Sequence, residues 1–157
     1  MSSSERINQL FREHGRTLGS VESFTGGGFA NAITNVSGAS HFFKGGFVTY
    51  ATEEKNRILG ISYETIDRYG VVSQEVAGEM ASHARSLLNV DYCVSFTGNA
   101  GPSAMEGKPV GEIYIGISFK DTCQVYEYHL EGTRDEIKNK AIDIAFELLE
   151  KIFLRNI

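Results

Sequence analysis

Apolar residues along this chain follow two kinds of pattern, and the two patterns alternate. Residues 4–14 carry apolar side chains at helical spacing. Ser2 and Glu5 form a candidate capping box for this helix, and Gly15 is suited to end it. Short continuous apolar runs, which are typical of buried strands, follow and then recur between further helical segments.

Helices and strands continue to alternate after this first helix. The pattern predicts strands over residues 18–21, 46–50, 91–97, 112–120 and 123–130, and helices over residues 28–35, 52–59, 73–89 and from Thr133 onward. Asp121 and Thr122 alone separate the last two strands, so we expect an antiparallel hairpin there. The alternation predicts an α/β fold in one domain over residues 1–157, with three α/β/α layers around a mixed, partly parallel sheet of about five or six strands.

The composition narrows the class of protein. With 157 residues, 41% of them hydrophobic and 22% charged, the chain has the size of one globular domain. A net charge of −5 without a stripe of Lys or Arg argues against a nucleic-acid partner. Cys93 and Cys123 lie in apolar runs, as free thiols in a reducing cytosol do. No segment resembles a membrane span or a signal peptide, so we expect a cytoplasmic protein.

Three predicted loops follow strands and hold the residues best suited to chemistry, namely residues 23–28, 50–55 and 97–111. Sites in open α/β sheets lie outside the carboxyl ends of the strands, so we expect these loops to converge. In the first loop, Ser23 precedes a run of three glycines. The glycines permit positive φ angles, and the first turn of the next helix is expected to offer unpaired N–H donors to an oxyanion or a phosphate. The alternative interpretation of the glycine run is a simple turn between strand and helix, and that of residues 97–111 is a long connection without a function.

Spacing excludes several familiar kinds of site. Residues 101–108 resemble a P-loop only superficially, because one residue too many separates the glycines and Pro109 stands in place of Ser or Thr. The glycines after Ser23 fit neither the dinucleotide-binding spacing nor the G-x-S-x-G elbow. The four histidines lie far apart along the chain. We therefore expect no metal site, no cofactor and no Ser-His-Asp triad.

Lys55 is the candidate proton acceptor for Ser23. A lysine can act as a base if burial lowers its pKa from about 10.4 towards 7, a shift that corresponds to roughly 4 kcal/mol. Tyr50 is a candidate for relaying or orienting that proton. The alternatives are a solvated helix lysine and a half-buried strand tyrosine with its hydroxyl at the surface. The residues alone indicate a Ser-Lys-Tyr hydrolase.

Six short motifs follow one another along the chain. They are Glu22 to Gly27 (ESFTGG), Gly46 to Ala51 (GFVTYA), Glu54-Lys55, Gly70 to Ser73 (GVVS), Thr97 to Pro102 (TGNAGP) and Lys108 to Gly111 (KPVG). Their order and spacing resemble the CinA C-terminal domain family, the nicotinamide-nucleotide amidohydrolases. The resemblance extends from about Leu18 to the final helix, and ordered motifs are far more specific than any single one. Members of this family occur alone or fused behind a molybdopterin-binding-like domain, and the chain resembles the stand-alone form.

The resemblance implies hydrolysis of the carboxamide of nicotinamide mononucleotide to nicotinate mononucleotide and ammonia. Ser23 corresponds to the nucleophile of the family, and Tyr50 and Lys55 correspond to its activating partners. On this view Ser23 attacks the amide carbon, Lys55 carries the proton to the leaving ammonia, and N–H groups around Gly26 and Gly27 hold the oxyanion.

The resemblance also implies a pocket for the nucleotide. Its surrounding residues correspond to Thr25, Gly26, Gly27, Thr97 and Gly98. Arg134 matches a family arginine and is the first candidate for the phosphate, because a guanidinium beside a helix N-terminus suits a planar set of oxygens. Lys108 is the second candidate for binding the phosphate, and the alternative is that it is a solvated loop lysine. The expected partners are a small-molecule nucleotide and a second copy of the chain in a homodimer, with no nucleic acid and no membrane.

The chain departs from the family pattern at two places. Phe24 stands where the family usually has Cys, and Asn99 stands where it usually has Ile. Ser103 to Glu106 also replace a glycine-rich stretch. These changes leave an alternative open, a catalytically weak or inactive pyridine-nucleotide-binding or regulatory homologue. A nonspecific esterase or amidase is a third possibility.

Overall fold

The computed structural model describes all 157 residues and contains a five-stranded mixed sheet. The strands are β1 (Leu18–Glu22), β2 (Phe43–Val48), β3 (Tyr92–Gly98), β4 (Glu112–Phe119) and β5 (Thr122–His129). Their spatial order is β2-β1-β3-β4-β5. β1 runs parallel to both β2 and β3, whereas β3, β4 and β5 pair antiparallel.

Helices cover both faces of this sheet. They are α1 (Ser3–His14), α2 (Gly28–Thr34), α3 (Thr52–Arg57), α4 (Tyr63–Tyr69), α5 (Gln74–Leu88) and α6 (Arg134–Arg155), with a short 3-10 helix at Ala39–His41. Helices α1, α2 and α6 enclose an aromatic core on one face, and α4 and α5 enclose an aliphatic core on the other. The predicted three-layer α/β fold is confirmed. No helix is both long enough and apolar enough to cross a membrane.

Local capping signals account for the helix boundaries. The Ser2 hydroxyl accepts the N–H of Glu5 while the Glu5 carboxylate accepts the N–H of Ser2, so the predicted capping box forms. Thr133 and Glu136 cap α6 in the same way. Asn89 ends α5 in the left-handed conformation, with φ of 53°. These ends satisfy backbone groups that would otherwise lack partners.

The predicted end of β2 is wrong, and one helix was not predicted. β2 ends at Val48, so Tyr50 lies beyond the strand, where the chain turns into α3. Helix α4 was not predicted, because it is short and buries only Ile66. The Ser62 hydroxyl, which accepts the N–H of Thr65, was the available signal for its start.

The topology brings the chemically useful loops to one end of the sheet. Because β1, β2 and β3 are parallel, the segments that follow them leave at the same edge. The antiparallel strand β4 begins at that edge, and α6 begins there after β5 returns. Four segments of the chain therefore meet at this edge, namely those after β1 and β2, the connection from β3 to β4, and the start of α6.

Candidate functional site

A cavity of about 120 Å³ lies in this crevice, and the three predicted loops all contribute to it. Ser23, Tyr50, Lys55, Thr97, Gly98 and Arg134 are among its lining residues. The other walls are largely apolar and come from Phe24, Val71, Val72, Ala100 and Met105, with Thr52 and Asn99. Reactive polar groups thus share a small cavity with apolar walls, the usual composition of a ligand site.

Lys55 and Ser23 are hydrogen-bonded partners at the bottom of this site. The Lys55 ammonium nitrogen lies 3.0 Å from the Ser23 hydroxyl oxygen and 2.6 Å from the Thr49 carbonyl oxygen. Only 1% of Lys55 is exposed. The alternative of a solvated helix lysine is therefore wrong. Only residues 49–51 separate β2 from α3, and from this helix Lys55 reaches Ser23, the residue after β1.

Burial changes the proton affinity of Lys55. Removal from water lowers its pKa from 10.5 to about 8, while the negative charge of Glu106 acts in the opposite direction. A substantial fraction of the side chain is therefore neutral in mildly alkaline solution. A neutral amine can donate one hydrogen to Thr49 and keep its lone pair for the Ser23 proton.

The turn after Ser23 is held by backbone hydrogen bonds that leave several donors free. The Ser23 N–H donates to the Phe96 carbonyl, and the Gly26 N–H donates back to the Ser23 carbonyl. Gly26 and Gly27 have φ of 61° and 99°. These positive φ angles explain why the turn contains glycines, which adopt them without a steric cost. The N–H groups of Phe24, Thr25 and Gly27 make no hydrogen bond. They are the unpaired donors nearest to Ser23, and of the three residues only Phe24 lines the cavity, whereas the Gly26 N–H is already engaged.

The first turn of α2 is occupied by a carboxylate. Glu22 is buried, and its two oxygens accept the N–H groups of Phe29 and Ala30 at 3.0 and 3.1 Å. The expectation that this turn offers unpaired donors to a ligand is wrong. Glu22 instead fixes α2 relative to the end of β1, because it binds the positive end of the helix.

Tyr50 and Arg134 form a separate pair at the rim of the cavity. Arg134 donates to the Tyr50 hydroxyl at 3.0 Å and to the Gly101 carbonyl at 2.6 Å. Tyr50 is 61% exposed, and no hydrogen bond joins it to Ser23 or Lys55. The predicted triad is therefore a buried Ser23–Lys55 pair with a Tyr50–Arg134 pair at the entrance.

The remaining candidates lie around the cavity in different roles. The Thr97 hydroxyl donates to the Val71 carbonyl at 2.6 Å and so holds a wall. Gly98 lies against β4, where a Cβ would come within 2.5 Å of the Ile113 side chain. Thr25 is buried, and its hydroxyl has no partner. Thr25, Gly26, Gly27 and Lys108 do not line the cavity.

Two charged residues near the site were not predicted from the sequence. The Lys138 ammonium lies 3.8 Å from the position that a Cβ would occupy on Gly26. Its signal was the i, i+4 spacing from Arg134, which places both cations on one face of α6. Glu106 accepts two backbone N–H groups from the cavity wall, and its signal was the Glu106-Gly107 dipeptide, which is similar to hairpin-turn sequences.

The fold and the site together define a three-layer α/β protein with a buried serine–lysine pair at the carboxyl ends of parallel strands. The sequence model of the CinA C-terminal domain matches residues 1–153. The chain therefore belongs to the CinA C-terminal domain family.

Known relatives agree with this assignment. A putative competence-damage inducible protein of Bacillus subtilis is 42% identical over 141 residues, which are 90% of this chain and 34% of that protein. A protein of the same description from Streptococcus pneumoniae is 41% identical over 149 residues, which are 94% of this chain and 35% of that protein. The chain thus spans about a third of the length of these curated relatives.

Solved structures share the whole fold. A crystal structure of a CinA superfamily protein from Escherichia coli superposes with a TM-score of 0.93 at 28% identity, covering 96% of this chain and 88% of that one. A competence/damage inducible protein from Agrobacterium tumefaciens gives a TM-score of 0.90 at 32% identity, with 95% and 92% covered.

Proposed function

We propose that this protein hydrolyses the carboxamide of nicotinamide mononucleotide to nicotinate mononucleotide and ammonia. The observation that carries the proposal is the 3.0 Å contact between the Lys55 nitrogen and the Ser23 oxygen in a cavity that excludes water from the lysine. A serine becomes a nucleophile when a neighbouring base takes its proton, and a buried lysine with a lowered pKa is such a base.

The chemistry follows from that pair. Neutral Lys55 takes the Ser23 proton as the serine oxygen bonds to the carboxamide carbon, and the unpaired N–H of Phe24, directly after Ser23, stabilises the oxyanion. Lys55 then returns the proton to the amide nitrogen, the C–N bond breaks and ammonia leaves. Water, deprotonated by Lys55, attacks the resulting ester, and the proton returns to the Ser23 oxygen to release the carboxylate.

The size of the cavity supports a ligand that is only partly enclosed. Its 120 Å³ is smaller than the roughly 300 Å³ or more of sites that enclose a drug-sized molecule. We assign the cavity to the flat nicotinamide ring and place the ribose and phosphate outside the rim. Arg134 uses two of its five donors on Tyr50 and Gly101, and its remaining donors, with Lys138, provide positive charge for the phosphate.

The decisive assay measures ammonia and nicotinate mononucleotide after incubation with nicotinamide mononucleotide. Ser23→Ala should lower kcat by at least about 10³-fold while the ligand still binds, because the nucleophile is lost but the cavity walls remain. Ser86→Ala, which changes an exposed serine on α5, is the matched control and should keep full activity. Undiminished turnover in Ser23→Ala would rule out the nucleophile assignment.

Phe24 favours a second candidate, a nucleotide-binding or regulatory protein without efficient turnover. This large side chain is 4% exposed and lines the cavity directly beside Ser23. Thermal stabilisation by nicotinamide mononucleotide without any product from the wild-type protein would support this candidate and refute the amidase. A nonspecific amidase would instead act equally well on substrates without the phosphate, and its affinity would be unchanged by Arg134→Ala.

A further inference from the structure

Two side chains attach the loop of residues 101–108 to the cavity wall. Glu106 accepts the N–H of Val71 at 3.0 Å and the N–H of Val72 at 3.1 Å. Lys108 donates to the Tyr69 carbonyl at 3.0 Å and to the Val72 carbonyl. Two N–H groups and two carbonyl groups of the 69–72 backbone are thus bound by one short loop.

The backbone of Glu106 is held in an unfavourable conformation. Glu106 and Gly107 have φ of 57° and 71°, and the Lys108 N–H donates to the Met105 carbonyl at 2.9 Å. This is a tight two-residue turn in which both central residues adopt positive φ, where glycine or asparagine is usual. A glutamate in this conformation is strained, and such strain persists where the surrounding contacts compensate for it.

The opposing segment is shaped to receive the carboxylate. Gly70 has φ of 81°, and a Cβ there would lie 2.7 to 2.9 Å from the atoms of the Glu106 carboxyl group. Glu106 also lies 3.6 Å from the Lys108 ammonium. The carboxylate therefore fits against Gly70 while it binds the two N–H groups that follow.

This attachment closes one side of the cavity. Val71, Val72 and Met105 all line it, and the Val71 carbonyl is held from below by Thr97. Other segments build the Ser23–Lys55 pair, so the loop mainly shapes the cavity. It acts on the pair through the negative charge of Glu106, which opposes the lowering of the Lys55 pKa. We propose that Glu106 is a positioning residue that docks residues 101–108 onto residues 69–72 and thereby sets the wall against which the ring of the carboxamide substrate packs.

The docking itself is tested without any substrate. In Glu106→Gln, one oxygen is replaced by an NH2 group that faces a backbone donor, so amide hydrogen exchange at Val71 and Val72 should quicken by about tenfold or more. Glu106→Gly removes the side chain but also relieves the backbone strain, so this variant should stay folded. It should show the same faster exchange at Val71 and Val72. Glu127→Gln, an exposed carboxylate on β5, is the control. Unchanged exchange at Val71 and Val72 in both Glu106 variants would overturn the docking.

The effect on the substrate rests on the proposed function. Assays at about pH 9.5 keep Lys55 neutral in every variant, because its pKa is about 8. There, Glu106→Gln and Glu106→Gly should raise KM about tenfold with kcat within about twofold of wild type. If wild type shows no turnover, the dissociation constant for nicotinamide mononucleotide takes the place of KM, so the two proposals fail separately. Quickened exchange with unchanged KM or affinity would overturn the positioning role.

Discussion

Lys55→Met is expected to abolish activity and yet to change stability in a way that depends on pH. The substitution keeps an unbranched side chain of similar length and removes the amine. Lys55 is 1% exposed, and burial lowers its pKa to about 8 in the folded protein, against 10.5 when it is exposed. Between these two values the unfolded chain binds a proton that the folded protein does not bind, so stability rises with pH there.

The size of the effect follows from the two pKa values. A difference of about 2.5 pKa units corresponds to roughly 3 kcal/mol of destabilisation below pH 8, which wild type carries and Lys55→Met does not. The methionine variant loses the hydrogen bond to the buried Thr49 carbonyl, at a cost of about 1–3 kcal/mol. Because that cost does not vary with pH, the free energy of unfolding of wild type should gain about 2 kcal/mol relative to the variant between pH 8 and pH 10.

Urea denaturation of both proteins at intervals from pH 7 to pH 10 measures this difference directly. Other titrating groups contribute equally to both curves and cancel in the subtraction. Lys151→Met, which changes an exposed lysine on α6, should run parallel to wild type throughout. A constant difference between wild type and Lys55→Met across this range would refute the lowered pKa, and with it the argument that Lys55 acts as a base.

Three further outcomes follow from the same structure. The value of kcat/KM should rise with pH through about 8, as Lys55 loses its proton, and a flat profile between pH 6.5 and 9 would contradict this. Phe24→Cys should lower the free energy of unfolding by about 3 kcal/mol in urea titrations, because it empties part of the core, and should improve KM for amides bulkier than nicotinamide mononucleotide. Thr133→Ala should cost about 1 kcal/mol, seen as a melting temperature lower by about 2–4 °C, through loss of the α6 cap.

Most of the fold could be predicted because its signals are local. Helix boundaries at Gly15, Asn89 and Thr133 depend on backbone groups within one turn of the residue concerned. The hairpin of β4 and β5 depends on a two-residue connection. Helix α4 was not predicted because most of its residues face solvent, so its sequence lacks the helical spacing of apolar residues.

The site was only partly predictable, because its contacts join segments distant in the chain. Ser23 and Lys55 were named from their residue types, but their separation depends on where β1 and β2 end. The sequence did not indicate that Glu22 would be buried and bound to α2, because a carboxylate before a glycine turn can equally well lie exposed on the surface. Its capture of the α2 donors depends on the geometry of the turn itself.

The sequence by itself determined the order of helices and strands, the caps that end them and the family of the protein, because each rests on neighbouring residues or on ordered motifs. Tertiary structure alone decided which hydroxyl meets which amine, that water is excluded from Lys55, and that Tyr50 pairs with Arg134 and not with Ser23. The physical reason is that burial and hydrogen bonding act through space. They arise only when the sheet brings the ends of β1, β2 and β3 to one edge.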